Sequence, residues 1–214
     1  MSGARVGGGL LVGLLGPVEI GRSAGALAPV PQPRVRLLLG LLAVAAGRVV
    51  GADALVDGMW GEEWSPRREL NLHGQVSALR RRLDQIEPGR GGARLMRVGA
   101  GYRLALGPGE LDVQAFRALA ARGRTAARAG LIEQAQELFG AALSWWRGAA
   151  LEDAAPLCLQ LAGEAAQLEE ARLAVLEERI GSGNQPAGAA VLVMPTALRA
   201  SENDVRNARR ALRT

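Results

Sequence analysis

The chain opens with apolar and polar positions at short spacing and then settles into helical periods. Leu14 to Ile20 reads as a short strand closed by a Gly/Ser/Ala turn, and a second short strand fits Ala26 to Val30, ahead of Pro31 and Pro33. From Arg34 the apolar positions Val35, Leu38, Leu39, Leu42 and Ala46 recur at helical spacing, and Gly47 stands where a helix C-cap would. Ala54 to Trp60 gives a second, shorter helix ending at Gly61. Arg67 to Asp84 gives a third. Projected at 100° per residue, Val76, Leu79 and Leu83 fall within about 40° of Leu72, which makes one narrow core-facing stripe. Gly74, Ser77 and Arg81 lie opposite, flanked by His73, Ala78 and Arg67. Leu95–Val98 and Tyr102–Leu106 then flank Gly99-Ala100-Gly101 as a hairpin with a three-residue loop.

After Leu111 the alternating pattern disappears. Leu111–Ala129, Ile132–Arg147 and Leu157–Ile180 carry helical periods separated by Gly130-Leu131 and by Gly148 to Pro156. Gly130, Ala135, Phe139 and Ala142 alternate small and large residues as a tetratricopeptide-like hairpin does, so that two helices can approach closely; a generic helical hairpin is the other reading. The pattern divides the chain into a disordered, Gly-rich N-terminus (1–12), an α+β winged helix-turn-helix domain with a small antiparallel sheet (13–107), an all-α tetratricopeptide-like domain (110–180) and an atypical tail (181–214). Of the two tryptophans, Trp145 and Trp146, one is expected in the core and one at the domain interface.

Charge sharpens this division. All 26 basic residues are arginine. Residues 1–105 hold 14 of them against 8 acidic residues, whereas residues 106–180 hold 7 against 11. A basic first half and an acidic second half suggest that only the first faces nucleic acid. A helix enters the roughly 12 Å major groove when its outward side chains are small or polar. Gly74, Ser77 and Ala78 meet that need. Arg80, Arg81 and Arg82 can neutralise phosphates, and Asn71, His73 and Gln75 can exchange hydrogen bonds with DNA. Arg67, Arg94, Arg97 and Arg103 are the expected wing and backbone contacts.

Other chemistry finds little support. One histidine and one cysteine, His73 and Cys158, have no catalytic signature around them, and there is no phosphate-binding Gly-Lys loop or metal-spaced Cys/His cluster. The expectation is no enzyme, no cofactor and no metal. A lone cysteine gives no sign of an oxidising compartment, and Cys158 reads as a small buried apolar residue. Arg5 ahead of Leu10–Leu15 faintly resembles a signal peptide, but Pro17 and Glu19 interrupt the run, and the apolar stretch from Leu37 to Gly47 is too short for a bilayer. A cytoplasmic, nucleoid-associated protein with no membrane partner is expected.

Five ordered segments carry a family resemblance: Leu15-Gly16-Pro17-Val18-Glu19-Ile20, Gly47-Arg48-Val49-Val50, Leu55 to Gly61, Gln75 to Leu83, and Gly101-Tyr102-Arg103-Leu104. Together they resemble the Streptomyces antibiotic regulatory protein family, in which an OmpR-type winged helix precedes a bacterial transcriptional activation domain. The resemblance covers about residues 13–180, including Phe116, Trp145-Trp146-Arg147-Gly148 and Leu168 to Leu173. It implies activation of biosynthetic gene clusters by binding direct repeats in double-stranded promoter DNA and contacting RNA polymerase and its sigma factor; a homodimer on DNA is compatible with it. Matched by position, it puts base contacts near His73, Gly74, Ser77 and Ala78 and phosphate contacts near Asn71, Gln75, Arg80 and Arg81. In this chain Gly74 stands where the family usually has an apolar residue, and Ala78 where it commonly has arginine. Residues 181–214 do not resemble the family's continuation. That departure leaves an alternative: a truncated interaction module or decoy that binds DNA or partners without activating.

Overall fold

In the computed structural model, described over residues 9–61 and 68–183, the N-terminal sheet has three short strands where the apolar pattern predicts two longer ones. Strand β1 is Leu11–Gly13, β2 is Glu19–Gly21 and β3 is Ala28–Pro29, with antiparallel pairs Val12↔Ile20 and Ile20↔Ala28. Leu10 and Val12, expected in a disordered N-terminus, are instead core residues. Leu14, Leu15 and Val18, expected within one strand, lie in the loop joining β1 to β2 and are fully buried there.

A buried loop must place its backbone polar groups somewhere. Here the second half of the chain receives them. The Asp112 carboxylate accepts the N–H groups of Leu14 and Leu15 at 2.9 Å. The Leu15 and Leu14 carbonyls accept from the N–H groups of Arg147 at 2.7 Å and Leu151 at 2.9 Å, and the Val18 N–H donates to Asp153 at 2.9 Å.

Helix α1 (Pro33–Val44) begins with Pro33, whose missing N–H costs nothing in a first turn. It buries Val35, Leu37, Leu38, Leu39, Leu41 and Leu42, more than one face, because it is covered from two sides. Strand β4 (Val50–Gly51) leads into α2 (Ala52–Trp60), which ends at Gly61 with φ +60°. Helix α3 (Arg68–Ile86) packs on α1 and α2 through the predicted stripe, with Leu72, Val76, Leu79 and Leu83 all buried. A single turn, α4 (Gly91–Arg94), precedes the hairpin of β5 (Leu95–Val98) and β6 (Gly101–Leu104). Val98 pairs with Gly101, so the loop has two residues rather than three. Gly99 at its first position has φ +56°, the sign a type II′ turn requires there. The second sheet runs β4-β6-β5, with Val50 opposite Tyr102.

The remaining helices are α5 (Asp112–Arg128), α6 (Ile132–Leu143) and α7 (Leu159–Gly183). Their close approach rests on small residues: Ala135 and Ala142 are fully buried, and a Cβ placed on Gly123 would stand 2.6 Å from the Phe139 ring. Gly130, with φ +74°, turns α5 into α6. The two tryptophans do not divide as expected. Both are half-buried; Trp146 meets Phe116 edge-on at 5.4 Å and lies under the Arg172 guanidinium at 4.7 Å. Cys158 is buried.

The winged helix and the helical module share one hydrophobic core. Leu161 of α7 lies 3.1 Å from where a Gly40 Cβ would be, so α7 is the second cover of α1. Val12 also forms a parallel bridge with Leu111. The expected tail lies outside the described residues from 184 onward.

Candidate nucleic-acid interface

Helix α3 holds one face in the core and offers the other to solvent. Asn71, His73, Gly74, Ser77 and Arg81 are exposed, and Gln75, Ala78, Arg80 and Arg82 are half-buried. Of these, Gly74, Ser77 and Arg81 are the positions the periodicity set opposite the core stripe, with His73 and Ala78 on its flanks. Most of the polar groups stay available. Arg82 leans on Gln85 at 2.8 Å, Ser77 donates its hydroxyl to the His73 carbonyl at 2.9 Å, and the Arg80 Nε donates to the Leu95 carbonyl at 3.0 Å. That last bond ties α3 to the hairpin. Gly91 is required where α3 meets α4: a Cβ there would stand 2.3 Å from the Arg80 carbonyl oxygen. Its N–H donates to Asp84 at 2.6 Å.

The hairpin is exposed as well. Arg97, Val98, Gly99 and Ala100 are exposed at its tip. Arg103 is half-buried opposite Met96, with its Nε buried and lacking a hydrogen-bond partner among the described residues. Arg67 lies outside the described residues.

Arg94 corrects the expected set. It is buried, and all five of its N–H groups are engaged: Nε and Nη2 donate to Glu87 at 2.5 and 2.9 Å, Nη1 and Nη2 to Glu110 at 2.6 and 2.7 Å, and Nη1 also to the Ala105 carbonyl at 3.1 Å. A guanidinium so saturated has no donor left for a phosphate. It clamps the end of α3, both feet of the hairpin and the segment leading into α5. Sequence spacing could not show this, because Glu87 and Glu110 approach it from opposite directions along the chain. Hydrogen bonding to Arg94 holds the Glu87 carboxyl below its ordinary value against the opposing effect of burial, with the charges of Arg94, Arg90 and Arg22 adding to it.

Two basic residues near this end of α3 escaped the sequence reading. Arg22, arriving from β2, donates to the Ile86 carbonyl at 2.8 Å, and Arg90 is exposed on the turn after α3. Only folding brings Arg22 across the 64 positions that separate it from Ile86.

A polar latch joins the winged helix to the helical module. Arg147 pairs with Asp112 at 3.0 Å and with Glu19 at 2.9 Å, and Arg36 pairs with Asp153 at 3.1 Å. Burial pushes the Asp112 carboxyl up, while the N–H groups of Leu15 and Leu14 and the Arg147 guanidinium pull it back. Among the described residues there is no group of histidine, cysteine and acidic side chains placed to hold a metal ion, and no helix is long and apolar enough to cross a membrane.

The arrangement has known counterparts. The bacterial transcriptional activator domain family matches residues 111–213. The transcriptional regulatory protein EmbR of Mycobacterium tuberculosis is 38% identical over 146 residues, covering 66% of this chain and 36% of its own length. The regulatory protein DnrI of Streptomyces peucetius is 33% identical over 173 residues, covering 79% of this chain and 63% of DnrI. The transcriptional regulator RedD of Streptomyces coelicolor is 35% identical over 178 residues, covering 82% of this chain and 50% of RedD. The match thus spans between about a third and just under two thirds of these relatives. Among solved structures, Mycobacterium tuberculosis EmbR in complex with a low-affinity phosphopeptide superposes with a TM-score of 0.74 at 30% identity, over 81% of this chain and 45% of that one. A winged helix latched to a tetratricopeptide-like module, with relatives of this kind along most of its length, places the chain in the Streptomyces antibiotic regulatory protein family of transcriptional regulators.

Proposed function

We propose that this chain is a sequence-specific DNA-binding regulator that activates a biosynthetic gene cluster, working in the cytoplasm without enzymatic activity. In this reading α3 lies in the major groove and the β5–β6 hairpin reaches the neighbouring backbone. The carrying observation is the outward face of α3, where Asn71, His73, Gly74, Ser77 and Arg81 are exposed together while the opposite stripe is buried. The interface comprises these residues with Gln75, Ala78 and Arg80, together with Arg97 and Arg103 of the hairpin. Arg67 belongs to it by its place before α3, and Arg94 does not. Direct repeats beside a promoter are the DNA partner, and RNA polymerase with its sigma factor is the protein partner. The family membership supports both assignments, and the hydrophobic core shared by the helical module and the winged helix suits a module that must be presented at a fixed angle to DNA.

The test is binding of the chain to duplexes enriched from a randomised pool. Arg81→Ala weakens binding to every sequence and lowers the salt slope by roughly one unit, whereas changes at His73 alter the preferred site. A chain that enriches no sequence, or an Arg81→Ala variant that binds with unchanged affinity and slope, refutes this docking face.

A further inference from the structure

Resting on the reading of α3 as the DNA-facing helix, we propose that Ser77 is a specificity-determining residue that accepts a hydrogen bond from an exocyclic base amine, the N6 amine of adenine or the N4 amine of cytosine, with Gly74 supplying the clearance for that approach. A serine hydroxyl has one proton to donate and two lone pairs to accept with. In Ser77 the proton is committed to the His73 carbonyl at 2.9 Å, one helical turn back. This is the usual back-bond of a helical serine. What Ser77 turns toward solvent is therefore lone pairs alone. In the major groove, guanine O6 and N7 and thymine O4 require a donor, whereas the adenine and cytosine amines require an acceptor. Each base pair carries one such amine, on one strand only. An acceptor at a fixed place thus selects adenine or cytosine over guanine or thymine on the strand it faces.

Gly74 carries the second part of the argument. It lies within α3, where glycine is the least favourable residue apart from proline. Gly40, Gly58 and Gly123 each have a neighbour that a Cβ would press against, but a Cβ on Gly74, like one on Gly163 or Gly181 of α7, would meet nothing within 4 Å among the described residues. No packing among the described residues explains its small size. Gly74, Ser77, Ala78 and Arg81 share one face by their three- and four-residue spacing, and a bare backbone at Gly74 lets the Ser77 hydroxyl sit closer to a base edge than a larger residue would allow.

The experiment uses the full chain and a duplex enriched by it from a randomised pool. Each adenine in turn is replaced by purine, which lacks the N6 amine, and each cytosine by pyrimidin-2-one, which lacks the N4 amine. At one position per repeat the wild-type chain loses affinity about five- to tenfold, and Ser77→Ala, already weaker, is insensitive to the same replacement. Gly74→Ala melts at a higher temperature than the wild type yet binds the duplex at least about fivefold more weakly. Coupling of Ser77 to a 7-deazaguanine replacement instead, or to no replacement at all, overturns the assignment of Ser77 as an acceptor. A Gly74→Ala variant that binds as tightly as the wild type overturns the role of Gly74. If the wild-type chain enriches no sequence, the reading of α3 as a DNA-facing helix falls, which is a different outcome from enrichment without coupling.

Discussion

Replacing Arg94 by methionine removes one cation from between two carboxylates. The side chains of Arg94, Glu87 and Glu110 are only 11%, 12% and 18% exposed, so the two acids are left facing each other with little water to screen them. Breaking a buried pair by deleting one partner costs about 3–5 kcal/mol. The remaining exposure of Glu110 and the freedom of either acid to take up a proton put the expected loss near the lower end, about 3 kcal/mol. In a chain of this size each kcal/mol moves the melting temperature by roughly 2–4 °C, so a fall of roughly 6–12 °C is expected. A thermal melt at neutral pH measures it. The combined variant Arg94→Met, Glu87→Gln, Glu110→Gln recovers much of the loss, because no uncompensated charge then remains. Because all five N–H groups of Arg94 are spent within the protein, Arg94→Met also leaves the salt slope of DNA binding unchanged, in contrast to Arg97→Ala, which lowers it by about one unit. A melting loss under about 1 kcal/mol, or a salt slope that falls in Arg94→Met as it does in Arg97→Ala, would refute the assignment of Arg94 as an internal clamp.

Other perturbations read other parts of the fold. Gly123→Ala places a methyl 2.6 Å from the Phe139 ring, so urea denaturation is expected to show about 1–3 kcal/mol of destabilisation from overpacking α5 against α6; an unchanged midpoint would show that the ring gives way freely. Asp112→Asn keeps the shape but removes the charge and an acceptor from the Leu14 and Leu15 N–H groups and from Arg147, with an expected loss of about 1–3 kcal/mol and faster hydrogen exchange at Leu14 and Leu15. For pH, the folded value of Glu87 lies below its ordinary 4.5, so its contribution is present above that value and is lost as pH falls through the lower folded value. Asp112 has the opposite sign, since its raised folded value favours the folded state at low pH and that advantage fades as pH rises through it. The difference between wild type and Glu87→Gln isolates the first effect: the gap in stability narrows on acidification, and a gap independent of pH contradicts it.

The amino-acid sequence by itself determined the local elements whose periods are strong. The stripe Leu72, Val76, Leu79 and Leu83 predicts both where α3 lies and which residues it turns outward, since helical geometry leaves a residue opposite a core stripe nowhere else to go. The alternation of Gly130, Ala135, Phe139 and Ala142 likewise announces a tight helical hairpin. Tertiary structure decided everything that depends on partners distant in the chain. Leu14 to Val18 are apolar enough to read as a strand, but among the described residues no neighbouring strand takes their hydrogen bonds; Asp112, Arg147, Leu151 and Asp153 take them instead, about 100 residues or more later. Arg94 looks like any exposed wing arginine until Glu87 and Glu110 converge on it, and Arg22 reaches the end of α3 only through the β1–β2–β3 sheet. A periodic pattern reports which face of an element is buried, because that follows from backbone geometry alone. It does not report what buries it, because charge pairing and backbone satisfaction are settled between elements that meet only when the chain has folded.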